Sequence, residues 1–135
     1  MTVELSSLPQ VMFPLLDKFY RAQRSHMRTG RAERVWVARM EHEIVAGVCL
    51  TPVEDGHWLT GLLVAPVQRK RGLAGLLLER VRSELEGPIW LFCHPDLQRF
   101  YTARGYVLCE ALPETLAGRL ARYQQSKSLV AMVSG

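Results

Sequence analysis

Between His57 and Leu85 the chain changes its period. His57 to Val64 reads as a strand, Pro66 ends ladder pairing because it has no N–H, and Leu73, Leu76, Leu77, Val81 and Leu85 then recur at spacings of three and four, one face of a helix. The link between the two is the run Val64-Ala65-Pro66-Val67-Gln68-Arg69-Lys70-Arg71-Gly72, so a basic loop delivers its backbone to a helix start. The first N–H groups of a helix have no internal acceptor and the macrodipole leaves them partly positive. Arg69, Lys70 and Arg71 add full charges beside them, an arrangement that suits an anion with several oxygens. Gly72 and Ala74 keep side-chain bulk away from those amides.

The common nucleotide loops are not the source of this pattern. Neither G-x-x-x-x-G-K-[ST] nor G-x-G-x-x-G follows the strand, so ATP and dinucleotide readings have no motif behind them. What matches is R-x-x-G-x-A at Arg69, Gly72 and Ala74, with Gly75-Leu76-Leu77-Leu78 behind it. After the helix, Gly87-Pro88 breaks the chain and Ile89-Trp90-Leu91-Phe92-Cys93 follows as an uninterrupted apolar run, the pattern of a strand covered on both faces. Then come His94-Pro95-Asp96, the pair Phe100-Tyr101 and the turn Gly105-Tyr106. These two segments, in this order and at this separation, resemble the acyl-CoA region of the GNAT (GCN5-related N-acetyltransferase) family, strongly from about Ala38 to Tyr106 and loosely at the ends.

The resemblance implies an α/β fold of α+β type: a mixed sheet with a β-meander leading into a βαβ acyl-CoA unit, helices on both faces, in a single domain spanning 1–135. It implies acetyl-CoA as cosubstrate, its pyrophosphate on the amides from Arg69 through Lys70, Arg71, Gly72, Leu73 and Ala74 to Gly75. Pantetheine would run as an extra strand beside Leu63 and Val64, where a backbone N–H can polarise the thioester oxygen without help from any side chain. Phe100 would wall the channel. Tyr101 would stand near the sulfur as the acid that protonates the leaving thiolate, with a packed helix-end aromatic as the plainer alternative. His94 occupies a position where many family members carry Asn, and it is either a base for the acceptor amine or a hydrogen-bonding partner of pantetheine. His57, Glu54, Asp55 and a water chain to a distant carboxylate are further options for the base.

The expected activity is transfer of an acetyl group to a primary amine by direct attack in a ternary complex. An acyl-CoA-binding regulatory or interaction module of the same fold is the alternative, and retention of Tyr101 favours turnover. The acceptor stays open among a small metabolite, an antibiotic, a peptide N-terminus and a lysine, and a homodimer is an open option.

Composition bounds these readings. With 135 residues, 48% hydrophobic and 22% charged, the chain has apolar content for one core. It has no apolar run of about 18 residues, and its start, Met1-Thr2-Val3-Glu4, carries no export signal, which points to the cytoplasm and away from a membrane. Cys49, Cys93 and Cys109 form no C-x-x-C and sit in strand-like apolar contexts, as buried thiols rather than metal ligands or nucleophiles. The net charge of +4 suits an anionic ligand. Arg21, Arg24, Arg28, Arg31 and Arg34, and Arg119, Arg122 and Lys127, lack the aromatic interleaving of single-strand binders and read as solvated faces, which makes nucleic acid an unlikely partner.

For the rest of the chain, Pro9 or Pro14 opens a first helix with Met12, Leu15, Leu16, Phe19 and Tyr20 as its stripe, continuing toward Arg28 and ended by Thr29-Gly30-Arg31. Residues 35–39 and 44–50 read as a hairpin, Pro52 to Gly56 as a turn, 96–103 as a short helix and Tyr106 as the start of a strand. Pro113 opens a helix with Leu116, Leu120 and Tyr123 on one face, and Ser128 to Val133 reads as a last strand.

Overall fold

The computed structural model describes residues 2–134. It holds one mixed seven-stranded sheet in the order β1-β2-β3-β4-β5-β7-β6, together with four α-helices. The chain divides into two compact units, residues 2–51 with 59–85, and residues 52–58 with 86–134.

The first unit is built on an antiparallel meander. β1 (Val3–Ser7) pairs with β2 (Arg34–Met40) from Val3↔Met40 to Ser7↔Trp36, and β2 pairs with β3 (Glu43–Val53) from Arg34↔Leu50 to Met40↔Glu43. Glu41 and His42 join β2 to β3 with φ of 52° and 72°, the left-handed pair that matches the twist of a two-residue hairpin. Side chains alternate across a strand, so Val35, Val37 and Cys49 share a cluster under α1 (Phe13–Ala22) with Phe13, Leu16, Phe19 and Tyr20. Trp36, Ala38, Ala46 and Val48 are equally buried on the other face, and α2 (Leu73–Glu84) is in contact with β2. Gly47 lets α1 approach closely, because a Cβ there would collide with Leu16.

The second unit contains the opening of β4 (Gly56–Val64), whose parallel register with β5 (Ile89–Cys93) is His57↔Ile89 and Trp58↔Trp90. β5 continues antiparallel with β7 (Val130–Ser134), which also pairs with β6 (Tyr106–Leu108). Ile89, Trp90, Leu91 and Cys93 are buried, as the apolar run requires. Phe92 packs against Trp58 at 5.5 Å and Tyr123 at 6.3 Å between ring centroids, with Tyr123 supplied by α4 (Glu114–Tyr123). α3 (Gln98–Thr102) follows β5 through a single 3-10 turn.

Several expected boundaries move. The first helix ends at Ala22 rather than near Arg28: Arg24 turns to φ 58°, and Asp17 holds the returning chain by accepting from Thr29 N–H (2.7 Å) and Thr29 Oγ1 (2.9 Å). Met12 and Leu15 are 36% and 42% exposed, so the buried face of α1 is Phe13, Leu16, Phe19 and Tyr20. Leu76, at 41%, likewise leaves the expected stripe of α2. Pro52 lies inside β3 rather than opening a turn, which shrinks to Glu54 and Asp55. Cys109 follows β6 and is only half-buried, its N–H donating to Ala131 O at 2.9 Å.

Candidate functional site

In the first unit, the loop after β4 begins at Pro66 with a single 3-10 turn, in which Gln68 N–H donates to Ala65 O at 2.8 Å. Arg69 is extended, Lys70 has φ 69° and Gly72 has φ 75°. Alternation of this kind turns successive N–H groups into a concavity that favours an anion. Gly72 is the N-cap of α2, where no side chain caps the first amides and no acid stands in the first turn. A Cβ at Gly72 would meet nothing within 4 Å, so the space beside the N-cap is open. The residues present therefore fit a pyrophosphate: uncapped donors, open space and exposed cations.

The three cations do different work. Arg69 donates from Nε to Val64 O at 3.2 Å and braces the loop against the end of β4. Lys70 and Arg71 are exposed beside the amides. Leu73 is 2% exposed and anchors α2 in the core, so only its backbone faces the loop's chemistry. Ala74 and Gly75 are half-buried, as are Leu63 and Val64.

Upstream of this loop, Gly61 interrupts β4 with φ 67°. Its carbonyl accepts from Tyr20 Oη at 2.6 Å, and the same hydroxyl lies 3.4 Å from Cys49 Sγ. Burial pushes the Tyr20 phenol far above its ordinary range, with Cys49 adding to the effect, and burial pushes the Cys49 thiol up to about 11. Both groups are therefore neutral. Sequence reading placed Tyr20 in an apolar stripe; the signal that could have found this strut is a glycine inside a strand pattern, which marks a bulge or a close approach.

In the second unit, β5 ends at Cys93 and His94 takes over as cap of the 3-10 turn Pro95–Leu97. Its Nδ1 accepts from Asp96 N–H at 3.1 Å, with Asp96 Oδ2 at 3.5 Å, and the imidazole is half exposed. In the neutral ring this acceptor role puts the proton on Nε2, so the lone pair a base would need is engaged. Tyr101 on α3 is 7% exposed, with its ring edge-on to Phe100 (5.0 Å) and Tyr106 (5.8 Å). Burial pushes its phenol above the ordinary range, Cys93 and Tyr106 push the same way, and Arg104 opposes them, so the hydroxyl stays protonated. Arg104 also covers Phe100 at 3.8 Å and donates to its carbonyl at 2.7 Å, which fixes the pair as a packed block. Among the described residues no group of three or more His, Cys, Asp and Glu is placed to hold a metal ion.

The family model of the acetyltransferase (GNAT) domain matches residues 31–108, more than half of the chain, and the chain belongs to this family. Solved structures agree on the fold. Escherichia coli ElaA is 15% identical with a TM-score of 0.72, covering 99% of this chain and 100% of that one. Naa50 of Arabidopsis thaliana, in complex with the bisubstrate analogue CoA-Ac-MVNAL, is 14% identical with a TM-score of 0.72, covering 100% and 99%. The ribosomal-protein-S18-alanine N-acetyltransferase of Escherichia coli is 17% identical with a TM-score of 0.68, covering 98% and 93%. No curated protein sequence matches significantly.

Proposed function

We propose that this chain is an acetyl-CoA-dependent N-acetyltransferase acting on a primary amine by direct attack. The observation that carries the reading is the loop from Arg69 to Gly75, with uncapped amides, left-handed Lys70 and Gly72, and open space over Gly72. A pyrophosphate supplies the oxygens this concavity asks for. The half-buried end of β4 at Leu63 and Val64 offers backbone groups for pantetheine, and an N–H there stabilises charge on the thioester oxygen.

Tyr101 has a defined chemical limit. A thiol titrates near 8.5 in reference peptides and a phenol near 10, and burial raises Tyr101 further. Full proton transfer from this phenol to a thiolate therefore runs uphill. Tyr101 acts by donating a hydrogen bond that stabilises the departing CoA thiolate, and the proton that the attacking amine loses passes through water to solvent. His94 serves as the cap after β5, and its Nε2–H is left to donate to a carbonyl of the bound cosubstrate. The three free thiols suit a reducing compartment, which supports action in the cytoplasm. The buried and neutral Tyr101 favours turnover over a purely regulatory acyl-CoA module.

Calorimetry with acetyl-CoA, followed by thiol release across a panel of amines, tests the reading. Micromolar binding with amine-dependent thiol release supports it. Binding without release from any amine supports the regulatory module, and absence of binding removes the proposal.

A further inference from the structure

Five arginines between Arg21 and Arg34 have no part in the cosubstrate loop, and the fold sorts them. Arg34 stacks over Trp36 at 5.0 Å. Arg21 and Arg28, by contrast, line one cavity of about 390 Å³ with Asp17, Ser25, His26 and Met27. The carboxylate of Asp17 accepts from Thr29 N–H with one oxygen and from Thr29 Oγ1 with the other. The cavity's acid is thus engaged with the loop that forms its wall. Among the described residues no ion pair engages Arg21 or Arg28, both exposed, so the cavity sets two guanidiniums against the single carboxylate of Asp17. A guanidinium offers a planar fork of donors matched to carboxylate or phosphate oxygens.

The cavity is tied to β4 through one residue. Ser25 on its wall donates its N–H to Tyr20 O at 3.0 Å, and the Tyr20 hydroxyl donates to Gly61 O at the interruption of β4. A single tyrosine therefore spans from the cavity wall to the strand whose end the proposed acetyl donor uses. The wall of the cavity and Gly61 of β4 are thus separated by the length of one tyrosine.

We propose that the cavity of Arg21 and Arg28 is an anion subsite for the acceptor, so that the acetylated molecule is a small amine carrying a carboxylate or a phosphate ester. This rests on the acetyltransferase reading and narrows its substrate class. It also assigns a role to basic residues that a solvated face would leave without one.

The test uses the full chain and its Arg21→Gln and Arg28→Gln variants, with paired amines that differ only in the anionic group. 4-Aminobutyrate is compared with 4-aminobutyramide, and 3-aminopropyl phosphate with 3-aminopropanol, by thiol release from acetyl-CoA. The expected result is a kcat/KM at least tenfold higher for the anionic member of at least one pair. Each variant should lose that preference through KM, with acetyl-CoA affinity unchanged. Which pair responds distinguishes carboxylate from phosphate. Equal rates within both pairs, or a preference that survives in both variants, overturns the proposal.

A titration that needs no turnover separates the two readings. Glutarate and inorganic phosphate are added to ¹⁵N-labelled protein, and at least one should shift the amides from Ser25 to Thr29 in the parent and in neither variant. If those shifts occur while calorimetry shows no acetyl-CoA binding, the anion subsite stands and the acetyltransferase reading falls. Without shifts from either anion, the subsite is rejected whatever the amine panel shows. Tight binding of an RNA hairpin that the same variants abolish, without discrimination within the amine pairs, likewise overturns a small acceptor.

Discussion

The hydroxyl of Tyr20 donates to the carbonyl of Gly61 at 2.6 Å, and a Cβ at Gly61 would stand only 2.6 Å from that oxygen. The helix and the interruption of β4 are thereby fitted to each other from both sides. Tyr20→Phe leaves the part-buried Gly61 carbonyl without this donor, at a cost of about 1 kcal/mol. The urea midpoint should fall with an unchanged m-value. An unshifted midpoint would mean that water takes the hydroxyl's place.

Gly72 tests the loop. Gly72→Ala introduces no clash, since the space is open, and costs only the strain of φ 75°, about 1 kcal/mol. Gly72→Glu adds a negative charge where the pyrophosphate would lie and should abolish CoA binding by calorimetry. Unchanged affinity in Gly72→Glu would take the loop out of the site. The cations should separate too. Lys70→Ala and Arg71→Ala should flatten the decline of CoA affinity with ionic strength, because their charges stand free beside the amides. Arg69→Ala should also loosen the loop, because its Nε holds Val64 O.

Tyr101→Phe should retain acetyl-CoA affinity while kcat falls by about 10-fold to 100-fold, at or below the lower end of what acid catalysis supplies. Because burial holds the phenol above its ordinary value, the protonated donor persists past pH 10, and no descending limb below that pH should belong to it. Equal kcat in the two proteins would assign Tyr101 to packing alone.

For His94 the cap decides the outcome. Asn is a strong N-cap residue, so the side-chain oxygen of His94→Asn can accept from Asp96 N–H in place of Nδ1, and the variant should run nearly as fast as the parent. His94→Ala should lose the cap and lower the melting temperature by a few degrees. If His94→Asn erased an ascending limb that the parent shows in kcat/KM against pH, the imidazole would be the base after all.

Alkaline stability should report Cys49. Its thiol ionises near 9 in the unfolded chain and at about 11 in the fold, so between those values the unfolded state binds fewer protons and stability falls as pH rises. Denaturant midpoints should be level with respect to this group below pH 8 and decline from about 9 to 11. Cys49→Ala should lessen the decline. The same slope in parent and variant would leave the loss to Tyr20 and Tyr101.

How much of this was legible depended on whether a signal was local. The change from strand to helix between Val64 and Leu73 follows from Pro66 and the leucine spacing, and the loop's left-handed Gly72 lies where a glycine was expected to matter. The buried strand Ile89–Cys93 came from an unbroken apolar run. The end of the first helix was misread because its cause is distant: Asp17 captures Thr29 twelve residues on, and no helix stop signal lies at Ala22. The roles of Tyr20 and His94 were hidden for the same reason as each other. A phenol on a helix and an imidazole after a strand do not declare which backbone groups they will meet.

The clamp between Asp17 and Thr29 has an evolutionary consequence. No residue from Gln23 to Arg28 is buried, while the two clamp positions hold the segment's ends. Substitutions inside it can therefore accumulate without opening a void in the core, and those at Ser25, His26, Met27 and Arg28 change the chemistry displayed on the cavity wall. The side chains of this short stretch can thus change at little risk to folding.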